Sequence, residues 1–420
     1  LTGAVAAAGA PAAANATLAT SPQQLRRAEW ALLYGNFTIG CGVMVTAGTL
    51  NDLAQGLAVS VATAGQLITV AALVMALGAP LLAALVAGFD RRRLLVAALL
   101  WYAAGHALCA LLPGLGTLMP VRALCMLGAA VFTPQAAAAV SVMAAPAQRG
   151  RTITFVFLGW SLASVLGMPL SALAGEALGW RWAFGGVALA SAVGALWVWR
   201  AMPDGVRPAA LSRASWAQAL THPALLATVL VTAFSAAGQF TLWSYFAPYY
   251  RQVLGASAQQ VSLLFLWFGA LGVVGNVLIA RRIDQLGAPR AVLLMLGCIA
   301  LSLLLWPLGS GPLTMMLVSA PWALGCFSSN SAQQARLGLA APLLAPALIA
   351  LNSSAMYAGQ AMGAASGGAI IAAATANSAA AGYGALHWVG LGWLLAAIAL
   401  SLWATRALRR RPLGLGLAHG

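Results

Sequence analysis

The chain alternates between long apolar runs and short polar interruptions that carry most of its arginines. A bilayer demands about 20 mostly apolar residues from a spanning helix. Twelve runs qualify, at approximately 30–51, 62–87, 94–112, 117–144, 152–177, 182–200, 224–248, 258–280, 291–309, 313–335, 346–374 and 386–405. The longest interruption, 201–223, holds Pro203, Asp204, Arg207, Pro208 and Arg213 and divides the chain six plus six. The pattern predicts an all-α membrane protein with twelve transmembrane helices in two pseudo-symmetric six-helix bundles. These are residues 26–200 and 224–406, joined by a cytoplasmic linker, 201–223. Residues 1–25 are Ala-rich and polar, with Pro11 and Pro22, and lack the basic start of a signal peptide. They are expected to form a disordered cytoplasmic tail, and 407–420 a second cytoplasmic tail.

The two halves repeat. Shifting the chain by 194 places ATAGQL (62–67) on ASAQQV (256–261), Gly78 on Gly272 and Asp90 on Asp284. A shift of 200 places Gly159 and Gly167 of span 5 on Gly359 and Gly367 of span 11. Duplicated six-span halves are the signature of a transporter that rocks two bundles about a midplane site.

Composition agrees with the bilayer as solvent: 62% of the residues are hydrophobic and 6% are charged, against about 25% charged in soluble domains. The net charge of +15 raises nucleic acid as a partner. That reading fails, because the arginines form short clusters between apolar runs and build no continuous basic face. Every one of the 21 basic residues is Arg. With the N-terminus in the cytoplasm, all of them but Arg122, Arg181 and Arg251 fall on the cytoplasmic side, so both termini are expected inside. The five cysteines lie within apolar runs without metal or disulfide spacing and are expected to pack as small hydrophobes.

GAPLLAALVAGFDRRRLL joins spans 2 and 3, and GNVLIARRIDQLGAPRAV joins spans 8 and 9. Asp90, followed by Arg91, Arg92 and Arg93, is placed to bond Arg groups and the positive end of a neighbouring helix in one transport state and release them in the other. These loops, on a six-plus-six chain, resemble those of the major facilitator superfamily. The order VRALCMLGAAVFTP (121–134), RGR (149–151), GWSLASVLGMPLS (159–171) and GWRWAF (179–184) is similar to the twelve-helix drug:proton antiporter family. QQARLGLAAPLLAPALIALNSSAMYAGQAMGAASGG (333–368) resembles its sugar- and purine-efflux branch, the relatives of arabinose-efflux permeases. The resemblance runs from about residue 30 to 405. It implies a bacterial inner-membrane exporter of a small molecule, monomeric and without a cofactor, that exchanges its cargo for protons through alternating access. Gly78, Asp90, the three following arginines, Gly159, Gly167, Pro169 and Asp284 are the gating positions it implies. Gly159 and Gly167 lie eight apart, on one helical face open to close helix approach. Pro169 is expected to kink span 5. Ser171 stands where a further Gly is usual in the family.

Proton coupling needs a titratable site. Arg122, inside span 4, is costly in hydrocarbon unless it snorkels to the outer headgroups or faces a wet cavity; it matches the arginine the resemblance ties to coupling. The family often carries a carboxylate in the middle of helix 1, where this chain has Val43. The remaining carboxylates lie at span ends; Asp52 reads by itself as a solvated helix-end charge, and it is also the carboxylate left to carry a proton, sensed by Arg122. Glu176 is expected beside Arg181 as a structural charge. His106, in span 3, is expected to pack away from the cavity. Asn36, Phe37, Gln135, Trp160, Gln239, Trp243, Asn330, Tyr357 and Gln360 are the candidate substrate groups, an amide-rich aromatic lining suited to a neutral or weakly cationic, partly polar ligand. Each amide has an alternative role as glue between helices. No hydrolase, P-loop or metal-binding motif is present, so neither an enzyme nor a metal site is expected. An uncoupled facilitator, an importer of the same fold, and a passive channel are the other readings; a channel shows no trans-acceleration by substrate in counterflow.

Overall fold

The computed structural model describes residues 21–86, 88–145, 148–207, 213–341, 344–374 and 379–410. The helices among them are α1 (Pro22–Gly48), α2 (Leu50–Gly56), α3 (Val61–Leu85), α4 (Arg91–Leu111), α5 (Leu115–Met143), α6 (Arg149–Leu162), α7 (Met168–Leu178) and α8 (Trp180–Ala201) in the first half. A short α9 (Arg213–Thr221) follows in the linker. The second half holds α10 (Pro223–Trp243), α11 (Phe246–Gln252), α12 (Ala258–Leu286), α13 (Ala288–Leu305), α14 (Pro312–Ala340), α15 (Ala345–Ala374) and α16 (Ala379–Arg410). No strand occurs among the described residues.

All twelve expected spans fall on these helices. Spans 1 and 7 each continue into a short second helix, α1 into α2 and α10 into α11. Ten spans meet the length and hydropathy of a bilayer crossing among the described residues. The other two, α14 and α15, are 29 and 30 residues long, and polar Asn330, Gln333, Arg336, Asn352 and Gln360 lower their hydropathy. At the N-terminal edge α1 begins at Pro22, inside the expected tail. Ser21 caps it by accepting from the Gln24 amide at 3.2 Å, and Pro22 occupies the first turn. The rest of that tail, 1–20, lies outside the described residues, as do 208–212 of the linker and 411–420 of the second tail.

Glycine decides how the helices meet. A Cβ on Gly159 would overlap the Leu33 carbonyl of α1 and lie 2.7 Å from the Phe37 nitrogen; one on Gly167 would lie 2.8 Å from Cys41 Sγ. Both glycines therefore let span 5 touch the backbone of α1. In the second half Gly359, Gly363 and Gly367 of α15 take the same position against α10, where a Cβ would meet the carbonyls of Ala233, Ala237 and Thr241. The repeat read at a shift of 200 is thus a repeat of packing. Gly78 faces Ala130 of α5 and Gly272 faces Phe327 of α14, again in matching places. Between Gly159 and Pro169 the chain adopts a π-helical turn, Ala163–Gly167, so the distortion of span 5 begins before the proline.

The apolar exterior is that of a multi-pass membrane protein. Trp30, Trp182, Trp197, Trp199, Trp388 and Trp403 are exposed near span ends, where an amphipathic ring suits a membrane interface. The two ends of the molecule differ in charge. The α3–α4 loop and the linker lie at the Arg-rich end, whereas the α2–α3 and α11–α12 turns lie at the Arg-poor end.

Candidate functional site

The polar contacts that cross between the two bundles among the described residues all lie in the Arg-poor half. Arg251, at the end of α11, reaches Asp52 of α2 at 3.8 Å and Glu176 of α7 at 3.4 Å. Beside it Gln252 donates to Asn51 at 3.3 Å and accepts from the Tyr383 hydroxyl at 3.1 Å. Deeper in, the Ser262 hydroxyl of α12 donates to the Pro169 carbonyl at 3.3 Å. A small cleft lined by Gly48, Asn51, Asp52, Ala172, Ala247 and Arg251 sits under the ion pairs. Burial pushes the Asp52 carboxyl above the usual carboxylate range; Arg251 opposes the shift and nearby Glu176 adds to it. The bundles are therefore closed together at this end. Glu176, expected beside Arg181, pairs with Arg251 instead. Arg181 donates to the Leu112 carbonyl at 3.1 Å and lies over the Trp180 ring.

Arg122 is fully buried and does not meet Asp52. It donates to the Gly42 carbonyl of α1 at 2.7 Å and to that of Val43 at 3.5 Å. Its second amino group lies 2.9 Å from His106 Nε2, and its guanidinium sits 5.5 Å from the Phe184 ring. His106, expected to pack away from the cavity, is in direct contact with Arg122. The signal for this was present: Tyr102, His106 and Cys109 recur at i, i+4 and i+7, one helical face, and all are buried.

At the Arg-rich end Asp90 caps its own helix, accepting from the Arg93 amide at 3.2 Å. Its other oxygen accepts from the Gly205 amide at 2.6 Å, so in this state the linker takes up the carboxylate expected to bond Arg groups and a neighbouring helix end. Arg92 pairs with Asp204 at 2.6 Å and stacks on Trp199. Arg91 is buried and donates to the carbonyls of Val86 and Phe89, while Arg93 is exposed. Sequence reading missed Gly205, whose φ of +82° is the region open to a residue without a Cβ. Asp284 lies in α12, but its side chain is outside the described residues.

The candidate substrate groups divide by what they bond. Asn36 is fully buried, donating to the Val156 carbonyl at 3.3 Å and accepting from Thr133 at 2.8 Å. Trp160 donates to the same Thr133 hydroxyl at 3.2 Å, so spans 1, 4 and 5 share one polar node. In the second half Thr232 donates to Asn352 at 2.5 Å, and Asn352 donates to Asn330 at 3.0 Å, tying spans 7, 10 and 11. Gln239 accepts from the Trp322 indole at 3.0 Å. Trp243 is packed among Phe246, Phe265, Phe268 and Trp322. Phe37 is half-buried against Tyr34. Gln135 and Gln360 are buried yet make no side-chain hydrogen bond among the described residues, and Tyr357 projects from α15 into the apolar core of the first bundle.

A family model described as Major Facilitator Superfamily matches residues 32–376. The MFS-type transporter YbcL of Bacillus subtilis is 29% identical over 87% of this chain and 92% of its own. The inner membrane transport protein YdhP of Escherichia coli K12 is 28% identical over 87% and 94%. Among solved structures, a bacterial homologue of the human lysosomal transporter Spinster, inward-facing and unoccupied, superposes with a TM-score of 0.72 at 17% identity, covering 93% of this chain and 98% of that one. A D-xylose–proton symporter superposes with a TM-score of 0.73 at 16% identity, covering 89% and 97%.

Proposed function

The chain belongs to the major facilitator superfamily, and from that premise we propose that this membrane transporter exports a small, partly polar molecule of sugar, nucleoside or amphenicol-like chemistry in exchange for protons. In this reading it is a monomer of the bacterial inner membrane and of the drug:proton antiporter family's efflux branch. The Arg-rich end lies in the cytoplasm with both termini, and the Arg-poor end faces outward. The present state is then closed outside.

One observation carries the reading. The two bundles meet in polar contact around a half-buried carboxyl, Asp52, whose proton affinity is raised in the closed state. A solvated Asp52 has the ordinary affinity, so by linkage a proton taken up from outside favours closure of the outer end. Proton entry thereby returns the carrier to its inward-open state, which is the exchange an exporter needs. Arg122 holds α1 to α5 during that motion. Gln135 and Gln360 are the candidates left to receive substrate, with Phe37 and Trp160 as the aromatic candidates; Asn36, Gln239, Trp243, Asn330 and the core-packed Tyr357 shape the wall. The gating positions Gly78, Asp90, Arg91, Arg92, Arg93, Gly159, Gly167, Pro169 and Asp284 serve the rocking of the halves.

The test is efflux of chloramphenicol, uridine or arabinose from proteoliposomes with and without an imposed pH gradient. Antiport requires efflux that rises when protons enter against it. No response leaves facilitated diffusion, and the opposite response makes the protein an importer. Asp52→Asn and Arg122→Ala should each uncouple transport from the gradient.

A further inference from the structure

We propose that His106 is a proton-binding site of this carrier, distinct from Asp52, at which protonation expels Arg122 from the carbonyls of α1. The inference rests on the antiport reading above.

The hydrogen bonds fix the protonation state of the imidazole. His106 Nδ1 lies 2.9 Å from the Tyr102 carbonyl, which only accepts, so Nδ1 carries the hydrogen. Nε2 faces Arg122 Nη1 at 2.9 Å and, farther off, the Gly42 carbonyl at 3.4 Å; a guanidinium only donates, so at the shorter contact Nε2 offers its lone pair. The ring is neutral in this state. A proton on Nε2 removes that acceptor and sets two cations against each other in a buried apolar site. Docked Arg122 and charged His106 therefore exclude one another.

The acceptor nearest Nε2, the Gly42 carbonyl at 3.4 Å, is already held by Arg122 at 2.7 Å. Arg122 and Cys125 face the ring from α5, with Cys125 Sγ 3.2 Å from Nδ1. Tyr102 and Cys109 lie on its own helix, α8 presents Phe184, and α1 presents backbone carbonyls. No carboxylate bonds to this cluster among the described residues. Arg122 is thus a buried cation whose partners are carbonyl dipoles, a ring face and one titratable acceptor. Such a charge in a membrane-spanning helix marks a functional pathway by default.

The mechanical consequence follows from α1. Arg122 grips it at Gly42, and the Tyr102 hydroxyl grips it again at the Ile39 carbonyl, 2.9 Å away. A Cβ on Gly42 would lie 2.8 Å from His106 Cε1, so the absence of a side chain there is what admits the cluster. Release of Arg122 frees the middle of the helix that leads into α2 and Asp52. The proton goes onto Nε2 and leaves from it; no other bond changes.

A purely structural His106, permanently neutral, would dock Arg122 in the same way. His106→Gln separates the two, because its amide oxygen still accepts from Arg122 and cannot titrate. Two readouts are required of the full-length protein in lipid. Imidazole nitrogen NMR from about pH 8 to about pH 4, which spans the ordinary range of the side chain and extends to its acid side, should show one resonance that becomes charged and is missing from H106Q. Gradient-driven efflux of chloramphenicol, uridine or arabinose should be lost in H106Q, with counterflow exchange retained. If the wild type responds to the gradient and H106Q responds equally, the His106 site is overturned while antiport stands. If the wild type gives no response, antiport falls; an imidazole that also stays neutral across that range overturns the site on its own evidence.

Discussion

Asp52→Asn and Arg251→Ala should move the gate at the Arg-poor end in opposite directions. Arg251 pairs with Asp52 at 3.8 Å and Glu176 at 3.4 Å, and all three side chains retain contact with solvent. In water two charges at such a separation attract by about 1 kcal/mol. Exposed pairs deliver about 0.2–1 kcal/mol each once side-chain entropy is included. Removing Arg251 should therefore weaken the closed state by about 1 kcal/mol, roughly a fivefold change in the closed-to-open ratio. Asp52 behaves differently. Its carboxyl is pushed up because burial outweighs the attraction of Arg251, so its charged form is a net burden on the closed state. Asparagine lifts that burden and favours closure. The pH sign agrees: in the wild type the closed state binds the proton more tightly than the open one, so closure strengthens as pH falls through the raised value and weakens as pH rises. Asp52→Asn should abolish this dependence. The measurement is a pulsed-EPR distance between labels at exposed Gln55 and Gln259, on either side of the closed end, across a pH series in nanodiscs. Two substitutions shifting the population the same way, or an asparagine variant that still closes on acidification, would refute the reasoning.

Other consequences are open to direct measurement. Leucine at Gly159 or Gly359 forces a side chain into the backbone of α1 or α10 and should cost about 1–3 kcal/mol or more, read as a lower unfolding temperature in detergent. Gly205→Ala places a Cβ at a φ of +82°, a strain of about 1–2 kcal/mol, and should loosen the Asp90 contact, read as greater proteolysis of the linker. Asn36→Leu strands the Thr133 and Val156 groups it bonds and should destabilise by about 1–3 kcal/mol. Gln135→Ala and Gln360→Ala break no internal hydrogen bond; they should leave thermal stability near that of the wild type and reduce binding of the transported probe.

What was legible in the chain was what repeats locally. Twenty apolar residues in a row announce a span wherever they sit, and glycines eight apart mark one face of a helix. Hence all the spans, and a face at Gly159 and Gly167 open to close helix approach, were readable, whereas the identity of the helix that fills it, α1, was not. Pairings between distant elements left weaker traces. Arg122 advertised itself as a charge in hydrocarbon, and the Tyr102, His106 and Cys109 spacing marked a helical face on α4, but nothing in the sequence joined the two. Asp52 was visible as the carboxylate at the outer end of helix 1, yet its partner, Arg251, comes from the other half of the chain. Amides were the hardest case. Asn36 and Gln135 look alike in sequence, and only the fold reveals that one amide is spent on Thr133 and Val156 while the other is not.

The distribution of bond strength explains how such a chain can move without unfolding. Within each bundle the ties are dry and short: Arg122 on the Gly42 carbonyl at 2.7 Å, Arg336 of α14 on Ser401 of α16 at 2.9 Å, and backbone-on-backbone contact along the glycine faces. Breaking one strands a buried cation or opens a void, a loss of several kcal/mol. Between the bundles the polar ties are few, and the ion pairs among them are partly exposed and worth about 1 kcal/mol or less apiece. A carrier must cross between its states with the modest energy of a proton gradient or a bound ligand, so it can spend cheaply only what lies between the halves. The Arg251 cluster is of that scale, and the Arg122 cluster is not. Any role of Arg122 in the cycle therefore needs a partner that makes its release cheap at one moment, and His106 is the titratable group in contact with it.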